Sequence, residues 1–397
     1  MSERYDVLVA GGGMVGLAVA GLFAEDERLR VTLVDAGTRP VFDAGADVSL
    51  RVSAIAPGSV AMLSSLGAWG AIESTRACPY RDMRVWDATG SVDGPETLSF
   101  SAAEFGLAQL GFIVENVLIQ HALLDRLDRT RVDVRYETPI SSLQREGCRF
   151  TVRVGTGETF HPELLIGADG ANSVVRGSAG IAVRSWPHAQ KGFVTCLETG
   201  LGHHDTAWQR FLDTGPIGML PLSDGRISIV WSTTPAQADE ALSMADDALA
   251  DLLTDVTDGA LGRLAPAGPR GAFPLTSQHA AEYVQDGMAL VGDSAHTVHP
   301  LAGQGVNLGF ADAGELARIV IAAVDAGENP GDLPTLRRYE RARRGANRTM
   351  QGFVSGLNRL FSNRSAPLAR LRGIGMYLFN RSGPIRARAV QTALGIR

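Results

Sequence analysis

The most constraining feature of this sequence is its opening, an apolar run followed by closely spaced glycines and then a second apolar run that ends in an acid. Residues 5–10 (YDVLVA) read as a buried parallel strand, and LAVAGLFA, after the glycines, reads as a helix. The spacing is Gly11-x-Gly13-x-x-Gly16. In that pattern Gly11 permits the sharp turn, Gly13 lets the backbone approach a pyrophosphate, and Gly16 lets helix and strand pack closely. Met14 and Val15 fall inside the span, where the free amides and positive end of a helix face phosphate, and they count with the glycines as cofactor-binding. The second strand, RVTLVDA, ends in Asp35, 19 residues after Gly16, where a carboxylate can accept both hydroxyls of an adenosine ribose. The unit predicts dinucleotide binding. NAD and FAD share it, so it does not name the cofactor.

The same stretch imitates a membrane span, because Val7 to Ala24 is 18 residues without a charge. Five glycines interrupt it, with a run of three near its middle, so it reads as strand, turn and helix. At 397 residues the chain is long enough for two or three domains, and 45% hydrophobic with 20% charged residues gives it a full core. A net charge of −6 argues against a nucleic-acid partner. Cys78, Cys148 and Cys196 lack CxxC spacing, so neither a disulfide framework nor a metal site is expected, and a cytoplasmic setting fits. The charge is unevenly spread. From Thr335 to Arg397 there are 14 arginines and one acid, Glu340, interleaved with apolar clusters such as LARLRGIGMYLF. Such a segment suits a helix lying on anionic lipid at the inner face of a membrane, or on a partner. The alternative is a helical subdomain whose arginines pair with acids elsewhere in the chain.

Two later motifs sharpen the cofactor. ELLIGADGANSVVR reads as a strand, a turn at Asp169-Gly170 and a helix containing Arg176. MALVGDSAHTVHPLAGQGVNLGFADAGELA reads as a strand ending at Val291, then Gly292-Asp293, a loop, and a helix opening near Gln304. Asp293 would stand at the carboxyl end of a strand, where open α/β sheets bind ligands and where it can reach a polyhydroxylated flavin linker. PLAGQGVN puts small residues and free amides at a helix start, which stabilises negative charge at the pyrimidine edge of a reduced flavin.

Together these motifs resemble the single-component FAD-dependent aromatic hydroxylases of the p-hydroxybenzoate hydroxylase superfamily. HPLAGQGVNLGFAD resembles the ubiquinone-biosynthesis branch, the UbiH/UbiF/VisC hydroxylases and their eukaryotic Coq relatives. RVSAIAPGSVAML, LGFIVENVLIQHALLDRL and FLDTGPIGMLPLSDGRISIVW fit that branch too, and CPYRDMRVW and GAFPLTSQHAAEYV look closest to UbiF. The resemblance puts Gly11, Gly13, Gly16 and Asp35 on the ADP half of FAD, Arg51 near the pyrophosphate, and Asp169 where FAD meets the incoming nicotinamide nucleotide. It puts Asp293 on the ribityl chain and Pro300, Gly303, Gln304, Gly305, Val306 and Asn307 along the isoalloxazine. Asn116 stands where many members of the superfamily carry an arginine for FAD.

The implied fold is α/β, a Rossmann-type FAD-binding domain like that of p-hydroxybenzoate hydroxylase with a mixed β-sheet substrate domain and a helical C-terminal segment. The FAD domain is expected over 1–75, 100–180 and 270–330, the substrate sheet over 76–99 and 181–269, and the basic helical region over 331–397. The implied reaction uses NAD(P)H to reduce FAD, and O2 then gives a flavin hydroperoxide that hydroxylates a prenylated phenol or quinol. A base would raise the ring's electron density, and His296 and His299 are the candidates, with the alternative that they only bond loop backbone. His203, His204 and Asp205 are sequence neighbours and make a poor metal site. Trp86, Trp186, Trp208 and Trp231 fall in the substrate lobe, as ring pocket or as core, and Arg226 and Lys191 could meet a nucleotide phosphate or solvent. Membrane association through the C-terminal region, a homo-oligomer and a ubiquinone-biosynthesis complex are all compatible with the chain. Two other functions remain open: a soluble aromatic hydroxylase of catabolic or secondary metabolism, and a non-catalytic flavoprotein scaffold.

Overall fold

The structure is a computed structural model that describes residues 4–147, 149–299, 305–361, 375–383 and 386. Tyr5–Ala10, Leu29–Val34, Leu164–Gly167 and Met288–Leu290 are mostly buried, as strands covered on both faces must be. They form the centre of a six-stranded sheet ordered Val284–Gln285, Met288–Leu290, Leu164–Gly167, Tyr5–Ala10, Leu29–Val34, Asp133–Arg135. All pairings are parallel except that of the short Val284–Gln285 strand. Val7 lies opposite both Leu164 and Val31, so the strand order reverses beside the first strand and opens a crevice there. Helix Met14–Ala24 leaves that crevice and packs on helix Gly305–Asp325 and on Asn116–Leu127.

The second sheet has eight strands ordered His296–Thr297, Leu264–Ala280, Val183–Thr199, Ile227–Thr233, Gly215–Pro221, Thr206–Leu212, Asp82–Asp87, Leu98–Ser101. It is mixed, since Thr206–Leu212 runs parallel to Asp82–Asp87 while its other pairs are antiparallel. Trp86 and Trp231, at 0% and 2% exposure, are core side chains under helices Pro235–Ser243 and Asp246–Val256, and Trp208 meets Trp86 edge-on. Strand Leu264–Ala280 runs through the boundary drawn at 269/270, and Leu98–Ser101 crosses the one at 99/100. Pro266, Pro269 and Pro274 break the alternation that would have marked the long strand in the sequence. Within 76–99, Cys78–Tyr80 leaves the large sheet and pairs with Gly111–Glu115 instead.

The basic region contributes the 29-residue helix Leu333–Phe361. Arg338, Arg343, Arg344 and Arg386 pair with Glu328, Asp312, Glu340 and Glu104, so part of the excess charge is spent within the chain. Phe353 and Leu360 of this helix remain 60% and 41% exposed. Among the described residues no helix is long and apolar enough to cross a membrane.

Candidate cofactor and ring-hydroxylation site

The glycine turn is closed at both ends and open in the middle. Gly11 has φ +114°, and a Cβ there would lie 2.3 Å from the Ala168 carbonyl oxygen. A Cβ at Gly16 would lie 1.9 Å from the Gly11 oxygen, but one at Gly13 would meet nothing within 4 Å. Gly13 is also the N-cap of helix Met14–Ala24 and supplies no capping side chain, so the first amides of the helix face that opening. This cradle fits the pyrophosphate of FAD. Met14 and Val15 are half-buried against the core beside it.

Asp35 holds the turn from below. Its Oδ2 accepts from the Gly12 amide at 2.6 Å and its Oδ1 from Gly37 at 2.7 Å, which leaves lone pairs for a ribose. Tyr136 donates its hydroxyl to the Gly12 carbonyl at 3.0 Å. No sequence motif marks Tyr136, because it arrives from 124 residues away.

Asp169 accepts from the Val175 amide at 3.0 Å through Oδ2, while its Oδ1 is buried without a protein partner. An unpaired buried acceptor costs about 1–3 kcal/mol, so this oxygen is aimed at something other than the chain itself. Arg176, 7% exposed, donates to the carbonyls of Ser294 at 2.9 Å and Ala171 at 2.8 Å. It ties the Asp169 turn to the Gly292–Ser294 turn, and burial pulls its guanidinium below the usual range. Asp293 sits on the second turn. Solvent reaches its side chain, yet protein crowds it enough that burial pushes its carboxyl up, against the pull of His296. Exposed and crowded together describe the floor of a cleft.

The other candidates divide. The Asn116 amide donates to the Arg51 carbonyl at 2.9 Å, and its side-chain oxygen accepts from the Ser53 hydroxyl at 2.7 Å. The Arg51 guanidinium lies 4.9 Å from the centroid of Phe273, a ring 40% exposed on the large sheet. Gly305, Val306 and Asn307 open helix Gly305–Asp325. Asn307 donates to the Ala54 carbonyl at 2.8 Å and accepts from the Ala56 amide at 2.9 Å and the Ser59 hydroxyl at 2.7 Å, so its side chain braces that turn. Pro300, Gly303 and Gln304 lie outside the described residues. Arg226 is held by Asp47 and Asp224, and Lys191 by Asp239, so neither is left for a phosphate. His203 spends both ring nitrogens, on the Leu222 carbonyl and the Asp205 amide.

The two candidate bases also differ. His296 is 2% exposed and its Nε2 lies 2.5 Å from Asp312, which places it in a buried network and removes it as a base for substrate. His299 is 1% exposed, with Nε2 3.2 Å from Gln190 Oε1 and Nδ1 buried without a partner. The Gln190 amide nitrogen donates to the Thr214 carbonyl at 2.5 Å, so its oxygen faces His299 and Nε2 must carry the hydrogen. Nδ1 is therefore the unprotonated nitrogen. Burial first, and then His188, pull the imidazole down to about 3, so it is neutral near pH 7.

The sequence profile described as the FAD binding domain matches residues 4–352. The chain is 37% identical to the 3-demethoxyubiquinol 3-hydroxylase of Escherichia coli (strain K12), over 100% of both chains. It is also 37% identical to the mitochondrial ubiquinone biosynthesis monooxygenase COQ6 of Homo sapiens, covering 96% of this chain and 91% of that one. The structure of P. aeruginosa PqsL in complex with 2-aminobenzoylacetate superposes with a TM-score of 0.78 at 22% identity, over 94% of this chain and 100% of that one, a likeness of fold.

Proposed function

The chain belongs to the FAD binding domain family, among the ubiquinone-biosynthesis hydroxylases, and from that premise we propose that it hydroxylates the ring of a polyprenylated phenol or quinol on the way to ubiquinone. One observation carries the reading. The likeness to a 3-demethoxyubiquinol 3-hydroxylase runs from end to end, so it extends past the flavin motifs over the sequence of the large sheet and of the C-terminal helix. Bound FAD would draw electrons from NAD(P)H and activate O2 for transfer of one oxygen atom to the ring.

The remaining tasks fall to the chain. The amides beyond Gly13 would hold the pyrophosphate, Asp35 the adenosine ribose and Asp293 the ribityl hydroxyls, and the unpaired Asp169 Oδ1 would accept where FAD meets the nicotinamide nucleotide. Arg176 keeps both acidic turns in register. His299 Nδ1 accepts the hydrogen of the ring hydroxyl, with Gln190 fixing its tautomer. A hydrogen bond of that kind pushes electron density into the ring that receives oxygen. The large-sheet strand Val183–Thr199, which carries both His188 and Gln190, stands next to this histidine and shields it from water.

A polyprenyl tail partitions into lipid at about 0.8 kcal/mol per CH2, so the enzyme has to meet its substrate at a bilayer surface. The basic helix Leu333–Phe361 with its exposed Phe353 and Leu360 suits peripheral contact with anionic lipid. Mass spectrometry of quinones from a host lacking this gene and any paralogue tests the function. A prenylated precursor short of one ring oxygen is the expected result, and an unchanged quinone pool would sink the proposal.

A further inference from the structure

Asp312 lies on helix Gly305–Asp325 and is fully buried; it closes the HPLAGQGVNLGFAD run, yet neither the spacing nor the resemblance gave it a part in holding the cofactor. Its two oxygens face different parts of the molecule. Oδ2 accepts from the Gly292 amide at 3.2 Å and from His296 Nε2 at 2.5 Å. Oδ1 accepts from Arg343 Nε at 2.7 Å and from Asn347 Nδ2 at 3.0 Å. Gly292 is held at φ +59°, a conformation costly for other residues, and it immediately precedes Asp293. The C-terminal helix Leu333–Phe361 supplies Arg343 and Asn347, one turn apart, with Arg343 also bonded to the Asn347 side-chain oxygen at 2.9 Å. From the same helix Tyr339, fully buried, donates to the Leu290 carbonyl at 2.8 Å, on the strand that leads into the turn.

We infer that Asp312 is a positioning residue for the Gly292–Asp293 turn, and that through it the docking of the C-terminal helix sets how firmly FAD is held. A buried carboxylate is tolerated only when its charge is offset and its lone pairs are filled. Arg343 offsets the charge, and the turn and the helix fill the lone pairs jointly. Removing the helix-side partners leaves an uncompensated carboxylate directly against the Gly292 amide and His296. The turn then relaxes, and Asp293 loses its aim. Coupling of this kind is reciprocal, so FAD in the cleft must in turn hold the helix more tightly.

Full-length protein stripped of flavin and titrated with FAD, with flavin fluorescence as the readout, tests this. Asp312→Asn keeps the shape and removes the charge; Arg343→Met keeps the stem and removes the ion pair, and stands alone if the first variant does not fold. Arg338→Ala is the control, because Arg338 pairs with Glu328 at 3.0 Å on the exposed side of the same helix. Arg343→Met should lower the flavin-free melting temperature more than Arg338→Ala, because it strands a buried carboxylate where the control breaks an exposed pair; measured at a temperature where both variants are folded, only Arg343→Met should weaken FAD binding, by about tenfold or more. In the unmodified protein, amides of residues 343–351 should exchange with deuterium more slowly once FAD is added. FAD affinity within about twofold of the unmodified protein in Arg343→Met, or equal exchange of those amides with and without FAD, would overturn the inference.

Discussion

The ring of His299 stands edge-on to that of His188, with centroids 4.8 Å apart and planes at 89°. Burial, with His188 adding to it, pulls His299 down to about 3, and burial with His296 pulls His279 down to about 4. Both rings are therefore neutral in the fold where the unfolded chain would bind protons, beginning near pH 6.5. The unfolded state takes up the protons, so stability is complete above that pH and falls as pH drops toward the folded values. Each histidine should withdraw about 2 kcal/mol between pH 7.5 and 5. Urea unfolding at the two pH values checks this, and His299→Gln should shrink the difference by about 2 kcal/mol. An unchanged difference would mean that His299 is not held neutral.

Gly13 and Gly16 make opposite predictions although they share one motif. A methyl group at Gly16 has no room against the Gly11 carbonyl, so Gly16→Ala should cost the flavin-free protein about 1–3 kcal/mol. At Gly13 the space is open, so Gly13→Ala should leave flavin-free stability within about 1 kcal/mol and weaken FAD instead. Paired melting curves with and without FAD separate the two. Equal loss of flavin-free stability in both variants would contradict the cradle.

What was legible in the sequence was local. The glycine turn, Asp35, Asp169 and Asp293 each lie in the turn directly after a sheet strand, so local spacing alone marks them. What was not legible depends on partners far along the chain. Gln190 fixes His299 across 109 residues, Tyr136 reaches Gly12 across 124, and Arg343 meets Asp312 across 31. His296 and His299 look equivalent in AHTVHP, and only Asp312 on one side and Gln190 on the other tell them apart. The long strand Leu264–Ala280 stayed hidden because its prolines erase the period that would reveal it.

Asp293→Ala removes the side chain on the cleft floor without touching the bonds that hold the turn, which come from Gly292, Ser294 and Arg176. The turn should survive while a charged hydrogen-bonding partner of the flavin disappears, a loss of about 1.5–3 kcal/mol, or about 10- to 100-fold in affinity. The variant should purify with little bound flavin. A full flavin spectrum after extensive dialysis would remove Asp293 from the cofactor site.

Phe353 and Leu360 are seven residues apart and so share one face of the C-terminal helix, with 60% and 41% of their surface open to solvent. Arg341 and Arg348 of that helix are exposed as well. Apolar side chains that share a helix with exposed arginines gain twice at an anionic bilayer, through burial of the rings and chains and through about 1 kcal/mol for each arginine near the surface. Flotation with vesicles containing anionic lipid should carry the protein upward at low salt and release it as salt rises, since the Debye length shortens to about 3 Å at 1 M. The double variant Phe353→Glu, Leu360→Glu should stay at the bottom of the gradient while retaining FAD, because both side chains are exposed on the helix surface. Flotation that is unaffected by the variant would move lipid contact to another part of the surface, and a native protein that never floats would remove peripheral membrane contact altogether.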